Sequence, residues 1–451
     1  MWLELLVKVE PMPEPISFEQ LITPLFEQFK RLPDHRTGQN SHYAIEDAAK
    51  GAFCVFFSQS ASFLAHQQAM KQSKGRSNAE TLFQIDQIPS DNQIRTLLDP
   101  ISAGQLFGVF DTVYQQLDQT GVLADFRVLN KQLLVSMDGT SYFSSKAIQC
   151  QNCLHRTGAK DETIYYHTAI LPVIVCPGRS QVVCLAPEFI MPQDGHDKQD
   201  CERTAAKRWI KFQAGHFEPH RVTLLGDDLY SNQPLGELAL EKKFNFIFVC
   251  LPESHQILYQ WLDFLTANGD IDQVQVHQWN GRFTEIATYR FINEVPLRGG
   301  DKALNVNWCE IIITHSKTGQ QLYHNAFVTN HPLTVQTVVE VVKAGRTRWK
   351  SENENNNVLK TKGYHLEHNF GHGKQYLASF LLTLNLLAFL FHTVLELADD
   401  QYRLLRQALG ARQTFFNDIR ALTRYLCFET WSHLLTFMIQ QLELQPNPDT
   451  G

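Results

Sequence analysis

The sequence has few basic residues for a chain of its length. Its 451 residues include 40 Lys and Arg against 47 Asp and Glu, a formal net charge of −7. A general attraction to polyphosphates is therefore excluded, because neutralising a nucleic-acid backbone requires clustered Lys and Arg. Net charge averages over the whole surface, so a nucleic-acid site remains compatible with this sequence wherever basic residues cluster.

Cysteines are sparse, and repeats and low-complexity tracts are absent. The nine cysteines are an odd number, and several, such as Cys54 and Cys250, lie inside apolar runs. This pattern excludes a dense disulfide framework and favours the reducing cytoplasm. The first residues, MWLELLVKVEPMPEP, have neither a basic stretch nor a small-residue cleavage site, so we predict no signal peptide.

One apolar run is long enough to cross a bilayer. Residues 376–395, YLASFLLTLNLLAFLFHTVL, contain Asn385 and His392, and no Lys or Arg follows them before Arg403. Membrane spans are normally flanked by such basic anchors. We therefore predict a helix buried on all sides in a folded core and no membrane partner, with a membrane span as the alternative.

What is present is apolar material for two to four domains, including 30 Phe residues. Residues 1–130 have helical periodicity with basic residues near Arg76, which predicts a helical DNA-binding region, a plain helical bundle being the alternative. From residue 131 the pattern predicts three strands, a helix, a strand, a helix and a strand, an α/β fold. We predict an α/β core over 131–251 and 333–398, a β-rich insertion over 252–332 and C-terminal helices over 399–451.

Three carboxylates in separate segments are the candidates for chemistry. Asp138 and Asp227 each follow a predicted strand, in LLVSMDG and TLLGDD, and Glu352 lies in the helix-forming segment GRTRWKSENENNN. Sites in α/β sheets form at the carboxyl ends of strands, and three carboxylates suffice to hold two magnesium ions that act on a phosphodiester. Taken singly, a strand-end Asp is more often a turn or cap residue. Asp228 is the alternative to Asp227.

The segment around Glu352 is basic although the chain is acidic. Residues 343–362 contain six Lys and Arg but only two Glu. Glu352, Asn356 and Lys360 are four residues apart, which places them on one face of an α-helix, and Arg348 lies one turn earlier. Such a face suits a metal ion beside phosphates, whereas a solvated charged face is the alternative.

Together these motifs resemble the DDE transposases of bacterial insertion sequences, in the branch with a Tyr-x2-Arg-x3-Glu-x6-Lys signature. The resemblance covers roughly residues 75–390 and is carried by IPSDNQIR, MDGTSYF, LLGDDLYSNQP and RWKSENENNNVLKTKGYHLEHNFGHG. Arg348 and Glu352 keep the Arg-x3-Glu spacing. Gly345 stands at the tyrosine position and Leu359 at the lysine position, with Lys360 one residue later.

The resemblance implies an RNase-H-like catalytic core interrupted by the β-rich insertion. It implies that Asp138, Asp227 and Glu352 are catalytic and hold two magnesium ions, for which manganese can substitute. It also implies cleavage of double-stranded DNA at transposon ends, often through a hairpin, strand transfer into target DNA, and a homodimer in the synaptic complex, in a bacterial cytoplasm at the nucleoid. The expected DNA-contacting residues are Arg76, Arg348, Lys350, Asn356, Lys360 and Lys362.

Two other functions are compatible with these residues. A transposase-derived DNA-binding protein with impaired catalysis is favoured by Gly345 and Leu359, but all three acids are retained. A nuclease that cuts without joining needs no domain for recognising transposon ends, so the N-terminal 130 residues favour the transposase.

A second metal site is a further hypothesis. Cys150 and Cys153 form a CxxC motif, and His167 and Cys201 complete a candidate set of four ligands for a structural zinc ion. Reduced loop cysteines are the alternative.

Three histidines in YHLEHNFGHG also lie close together in sequence: His365, His368 and His372. Gly371 and Gly373 interrupt the helix that a metal site at this spacing would need. We therefore predict a turn that contacts DNA rather than a metal site.

Overall fold

The computed structural model describes residues 15–37, 42–192 and 198–445, with side chains in the last range described from residue 202. The chain divides into two compact units. One is helical and comprises residues 1–97, 108–125 and 387–451, and the other, of residues 98–107 and 126–386, contains the sheets. The four-part division expected from the sequence remains a prediction.

The described residues form fifteen α-helices and a π-helical turn at Ser351–Asn356. The helices are α1 (Phe18–Lys30), α2 (Ile45–Phe57), α3 (Phe63–Lys71), α4 (Ser73–Phe83), α5 (Asp91–Leu98), α6 (Phe107–Gln119), α7 (Lys198–Gln213), α8 (Gln233–Glu241), α9 (Gln256–Asn268), α10 (Val338–Arg346), α11 (Asn357–Thr361), α12 (Leu377–Ala398), α13 (Asp400–Leu409), α14 (Arg412–Tyr425) and α15 (Trp431–Gln441).

The same parts of the chain contain thirteen strands. They are β1 (Leu133–Ser136), β2 (Gly139–Ser145), β3 (Leu154–Thr157), β4 (Thr163–Ile170), β5 (Val173–Val175), β6 (Val183–Cys184), β7 (Glu188–Ile190), β8 (Val222–Gly226), β9 (Asn245–Val249), β10 (Asp272–Trp279), β11 (Thr284–Pro296), β12 (Asn305–His315) and β13 (Gln321–Thr329).

The helical unit is built around an aromatic cluster. Helix α1 begins at a capping box formed by Ser17 and Gln20, and its apolar face is buried. The rings of Phe18, Phe57 and Trp431 pack with centroids 4.9 to 5.2 Å apart, a spacing typical of stabilising aromatic pairs. Helix α1 lies in the region whose periodicity predicts helices.

The larger sheet has nine strands in the order β10-β11-β12-β13-β9-β8-β1-β5-β6. Strand β1 pairs parallel with β8, β8 pairs parallel with β9, and β1 pairs antiparallel with β5. Strands β1, β8 and β9 are buried along their whole length, as their continuous apolar sequences require. The predicted mixed α/β fold is therefore confirmed at the level of a large sheet with helices.

Strands β10 to β13 form an antiparallel meander that extends the same sheet. Neighbouring strands pair in sequence order, and β13 then pairs antiparallel with β9. A register shift between Ile292 and Val295 marks a bulge in β11. The predicted β-rich segment thus continues the central sheet through β9.

A smaller sheet begins where β1 ends. Strand β4 pairs with β2 on one edge and with β3 and β7 on the other. Only Met137 and Asp138 separate β1 from β2, and the carbonyl of Asp138 accepts a hydrogen bond of 3.0 Å from the backbone nitrogen of Leu171. Asp138 therefore lies at the junction of the two sheets.

Helix α12 is the apolar run singled out in the sequence. It is long and apolar enough to cross a membrane, but 89% of its most apolar window is buried inside the structure. The side-chain nitrogen of Asn385 donates a 2.8 Å hydrogen bond to the carbonyl of Tyr364. A buried core helix accounts for both observations.

Helix α10 lies very close to the central sheet at Gly345. A Cβ atom at this position would lie 2.9 Å from a methyl group of Ile247 and 2.9 Å from the ring of Phe327. Both neighbours are buried strand residues, so there is little room for them to move. The missing side chain at this position of the signature therefore has a packing cause.

We expect Gly345→Val to lower the free energy of unfolding by about 1–3 kcal/mol, because it overpacks this contact. The matched variant is Gly108→Val, at an exposed site in α6 with no atom within 4 Å of the added Cβ. Its effect should stay within about 0.5 kcal/mol. Urea denaturation of both variants measures the difference, and equal effects would contradict the packing argument.

Candidate functional site

The parallel pairing of β1 with β8 brings two of the predicted acids together. In this pairing Ser136 is opposite Leu225, and the backbone nitrogen of Met137 donates a 3.0 Å hydrogen bond to the carbonyl of Leu225. The pairing ends there, and Asp138 and Asp227 each follow two residues later along their own chain segments. Both carboxylates therefore leave the carboxyl edge of neighbouring strands, where sites in α/β sheets form.

The segment that carries Glu352 is held against β1. The hydroxyl of Ser136 donates a 3.4 Å hydrogen bond to the carbonyl of Arg348, and the hydroxyl of Ser351 donates one of 2.9 Å to the same carbonyl. Glu352 follows in the π-helical turn and is exposed. Strand β1 and the end of α10 thus position Arg348 and Glu352 beside the two aspartates.

The charges of Asp138, Asp227, Glu352 and Arg348 influence one another. Burial raises the pKa of Asp138 to about 6; Arg348 opposes this shift, and the charges of Asp227 and Glu352 add to it. Burial also raises the pKa of Asp227, again opposed by Arg348. Carboxylates that are partly buried and close to one another are costly to ionise, and such perturbed groups concentrate at functional sites.

A chain of hydrogen bonds ends on Asp138 and accounts for the consecutive asparagines. The Cys184 thiol donates to the side-chain oxygen of Asn355 over 3.3 Å, and the Asn355 amide donates to that of Asn356 over 3.0 Å. The Asn356 amide then donates to the Asp138 carboxylate over 3.1 Å. Each donor is buried, so the chain fixes the orientation of the carboxylate.

Asn356 is one of the predicted DNA contacts, and the structure gives it a different role. Its side chain is 5% exposed and is bound to Asp138. The prediction assumed an α-helical face, whereas the residues from Ser351 to Asn356 form a π-helical turn, which changes the direction of each side chain. Asn356 is therefore a positioning residue for Asp138.

The two consecutive aspartates at the end of β8 have different environments. Asp228 accepts hydrogen bonds from the backbone nitrogen of Leu251 over 2.8 Å and from the hydroxyl of Ser254. Burial would raise the pKa of Asp228, but hydrogen bonds from His255 and Ser254 outweigh it and lower the pKa. Asp228 is thus engaged in holding the loop after β9, whereas Asp227 lies beside Asp138 and Arg348.

The predicted basic contacts fall into two groups. Lys350 is only 6% exposed, its ammonium group donates to the carbonyl of Arg179, and it lines a pocket together with Arg179, Lys343 and Arg346. Lys360 lies partly exposed in α11 and forms a 3.0 Å ion pair with Glu367. Lys362 and Arg76 are exposed.

A basic pocket lies beside the end of α10. It has a volume of about 380 Å³, and its lining includes Arg179, Lys343, Arg346 and the ring of Trp349. The Trp349 side chain is 46% exposed. Cations around an exposed aromatic ring are the groups that bind phosphates and stack on bases.

Sequence reasoning missed a fourth carboxylate near the aspartates. The hydroxyl of buried Tyr230 donates a 3.2 Å hydrogen bond to the Glu202 carboxylate in α7. Burial raises the pKa of Tyr230, and the charges of Glu202, Asp227 and Asp138 raise it further. Glu202 lies in mid-helix without a strand end before it, so no local pattern indicates its position.

A second cluster joins two cysteines and two histidines. The thiols of Cys150 and Cys153 and a ring nitrogen of each of His167 and His372 all lie within 4.8 Å of one another. Three of these residues are predicted zinc ligands. The fourth predicted ligand, Cys201, lies outside the residues whose side chains are described, and His372, which we predicted to be a DNA-contacting turn residue, occupies the fourth place.

Comparison with known proteins finds similarity among solved structures. No protein-family model matches the chain, and no curated protein matches it. The chain is similar to the cryo-EM structure of a piggyBac transposase synaptic complex with hairpin DNA, at a TM-score of 0.38 and 10% sequence identity, over 94% of this chain and 81% of that chain.

The raised pKa of Asp138 predicts a pH-dependent stability in metal-free protein. The folded state binds a proton at the Asp138 carboxylate more tightly than the unfolded state does. The free energy of unfolding of the wild type therefore falls as pH rises from about 4 to about 6. We expect Asp138→Asn, measured by thermal unfolding in EDTA, to be more stable than wild type at pH 8 by about 1–3 kcal/mol. At pH 4 the variant and the wild type should have the same free energy of unfolding.

The matched variant for this measurement is Asp228→Asn. Because the pKa of Asp228 is lowered in the folded state, its charge stabilises the fold at pH 8 and the substitution should destabilise the protein. If both substitutions changed the free energy of unfolding at pH 8 in the same direction, the different environments assigned to Asp138 and Asp228 would be contradicted.

Proposed function

We propose that this protein is a DNA transposase that cleaves double-stranded DNA at the ends of a mobile element and joins those ends to target DNA. Asp138, Asp227 and Glu352 are the catalytic acids. The observation that carries the proposal is the convergence of these acids, from three separate segments of the chain, beside Arg348. Arg348 and Glu352 keep the Arg-x3-Glu spacing of the family that the chain resembles, while Gly345 and Leu359 depart from its signature.

The topology supports an RNase-H-like core. Within the large sheet, strands β1, β5 and β6 come before α7, β8, α8 and β9 in the chain, while β2 to β4 and β7 form the smaller sheet. This is the succession of three strands, a helix, a strand, a helix and a strand that the sequence pattern predicts. Strands β10 to β13 then intervene before α10 and Glu352. This order also supports a β-rich insertion between the second acid and the glutamate.

The donor set fits magnesium. Carboxylate oxygens are the protein ligands that magnesium prefers, and it keeps water as its other ligands. Asp138, Asp227 and Glu352 would hold two ions, for which manganese would substitute. When bound, such ions lower the pKa of an attacking water or hydroxyl and stabilise charge on the departing oxygen.

The chain's own residues orient and balance this site. The side-chain amide of Asn356 donates a hydrogen bond to one carboxylate oxygen of Asp138, and the buried amide of Asn355 donates one to the side-chain oxygen of Asn356. The positive charge of Arg348 lowers the pKa of both aspartates. Its guanidinium suits a DNA phosphate, because it presents several donors in a fixed plane.

The π-helical turn supports Lys360 as the lysine of the signature. In a uniform α-helix each residue turns about 100°, so a lysine seven residues after the glutamate lies about 20° from it and one eight residues after lies about 80° away. A π-helical turn takes up one extra residue. It therefore returns Lys360 to the side of Glu352.

The exposure of Leu359 and Lys360 agrees with a signature lysine displaced by one residue. Leu359, at the expected lysine position, is 0% exposed, whereas the side chain of Lys360 is 27% exposed. The two departures from the signature, Gly345 and Leu359, thus have structural causes, which weakens the reading of the chain as a DNA-binding protein without catalysis.

The remaining parts of the proposal concern DNA and assembly. The basic pocket of Arg179, Lys343, Arg346 and Trp349 would contact the DNA backbone and an unpaired base. A homodimer in a synaptic complex, a hairpin step and a cytoplasmic location at the nucleoid follow from the family resemblance.

We expect Asp138→Asn, Asp227→Asn and Glu352→Gln to abolish cleavage of a labelled duplex carrying the element's own end, in the presence of magnesium, because each removes an anionic ligand. DNA binding, measured by gel shift on the same duplex, should persist. The measurement is the yield of nicked, hairpin and joined products.

Two neighbouring acids provide matched variants for this experiment. Asp228→Asn and Glu354→Gln remove carboxylates next to the proposed ligands, and both should retain cleavage. If wild type binds the end but never cuts it with magnesium or manganese, the protein is a DNA-binding derivative. Cutting without joining would indicate a nuclease.

Lys360→Ala should weaken binding of the duplex end and lower the slope of log affinity against log salt by about 1, because one phosphate contact is lost. Glu367→Gln is the matched variant, since it breaks the same ion pair and keeps the cation. Lys362→Ala tests the neighbouring exposed lysine. An unchanged salt slope for Lys360→Ala, or the same loss for Glu367→Gln, would contradict the role of Lys360.

A further inference from the structure

We propose that Cys150, Cys153, His167 and His372 form a structural zinc site in the α/β unit. The proposal does not rest on transposase activity, and the four residues are distinct from the proposed magnesium ligands. Four ligands with no open position are typical of structural rather than catalytic zinc.

The distances between the donor atoms match a tetrahedron. With zinc–sulfur bonds of about 2.3 Å and zinc–nitrogen bonds of about 2.0–2.1 Å, the edges are about 3.8 Å between sulfurs, 3.5–3.6 Å between sulfur and nitrogen, and 3.3 Å between nitrogens. The thiols of Cys150 and Cys153 lie 3.8 Å apart. Three of the four sulfur–nitrogen distances are 3.6, 3.5 and 3.3 Å, and the two imidazole nitrogens lie 3.1 Å apart. The fourth pair, Cys150 and His372, lies within 4.8 Å.

Hydrogen bonds around the cluster orient the donors. The Nδ1 of His372 lies 2.8 Å from the carbonyl of Gly373, so Nδ1 carries the proton and the Nε2 lone pair faces the cysteines. The backbone nitrogen of Cys150 donates to the sulfur of Cys153 over 3.4 Å, a contact that stabilises a thiolate. A second layer of contacts of this kind is characteristic of zinc sites.

Two alternative roles for the cluster, a disulfide and a nucleophilic cysteine, would use only some of the four donor atoms. A disulfide between Cys150 and Cys153 would not need two imidazole nitrogens directed at the sulfurs. A nucleophilic cysteine needs exposure to its substrate, whereas Cys153 is buried. Zinc uses all four donors at once.

The site would tie distant parts of the chain together. Cys150 and Cys153 lie in the loop between β2 and β3, His167 lies in β4, and His372 lies in the segment between α11 and α12. Closing a loop of about 200 residues by a metal restricts the unfolded chain strongly. The segment it anchors directly follows the helix that carries Glu352 and Lys360.

Independent contacts hold the same segment. The carboxylate of Asp99 accepts hydrogen bonds of 2.9 to 3.2 Å from the backbone nitrogens of Lys374, Gln375 and Leu377. The side-chain amide of Asn152 donates a 2.9 Å hydrogen bond to the carbonyl of Gln375. Gly373 has a φ of +71°, and a Cβ there would lie 2.1 Å from the Asp99 carboxylate, so this turn presents His372 in a defined direction.

The test is metal analysis of the full-length protein, purified under reducing conditions from medium with zinc. Mass spectrometry of the metals should find about one zinc ion per chain. X-ray absorption should find two sulfurs at about 2.3 Å and two nitrogens at about 2.0–2.1 Å. Cobalt substitution should give the visible absorption of a tetrahedral thiolate complex.

The variants separate this ligand set from others. His372→Ala and Cys153→Ser should reduce zinc to background and lower the unfolding temperature by several degrees, as loss of a ligand that binds only the folded state requires. His372→Cys should keep zinc with an altered cobalt spectrum, which guards against a variant that only misfolds. His368→Ala, Cys427→Ser and Cys201→Ser should each keep one zinc.

Three results would overturn the proposal. They are folded wild-type protein without zinc, zinc lost in Cys201→Ser but kept in His372→Ala, and a disulfide between Cys150 and Cys153 in reduced preparations. None of these measurements uses DNA, so failure of the zinc site and failure of the proposed transposase activity can be told apart.

Discussion

The parallel pairing of β1 with β8 is the constraint on which the candidate site depends. Because side chains alternate along a strand, a slip of one residue in this register would turn one aspartate to the opposite face of the sheet. The pairing of Ser136 with Leu225 prevents such a slip and leaves Asp138 and Asp227 at one edge. Serine hydroxyls on β1 and after α10 then bind the Arg348 carbonyl and bring Glu352 to the same edge.

This arrangement is electrostatically unfavourable without a cation, and the surrounding contacts offset the cost. Asp138 and Asp227 have raised pKa values because they are partly buried, and Arg348 only partly compensates them. Proteins retain partly buried carboxylates close together where the binding of a ligand offsets the free energy that this arrangement requires. The buried chain from Cys184 to Asn356, and the segment bound by Asp99, provide the rigidity that a site of this kind requires.

The site residues that follow a local sequence pattern could be predicted from the sequence. The residues whose role depends on contacts with distant parts of the chain could not. Asp138 and Asp227 could be found because a strand followed by an acid is a local signal. The role of Asn356 could not, because a helical wheel assumes uniform rotation and the π-helical turn departs from it. His372 was assigned to a turn, and it lies in one, but its partner Cys153 is 219 residues away and no spacing rule connects them.

The departures from the family signature carry information once their physical causes are considered together. Gly345 is required by the close contact of α10 with Ile247 and Phe327. That contact brings the end of α10 toward the sheet, and the next turn is the π-helical one, which takes up one residue. Leu359 is buried and Lys360 is partly exposed after this turn. In the proposed transposase, the packing of Gly345 and the π-helical turn together give structural causes for both Gly345 and Leu359, so neither residue needs to be explained by a loss of function.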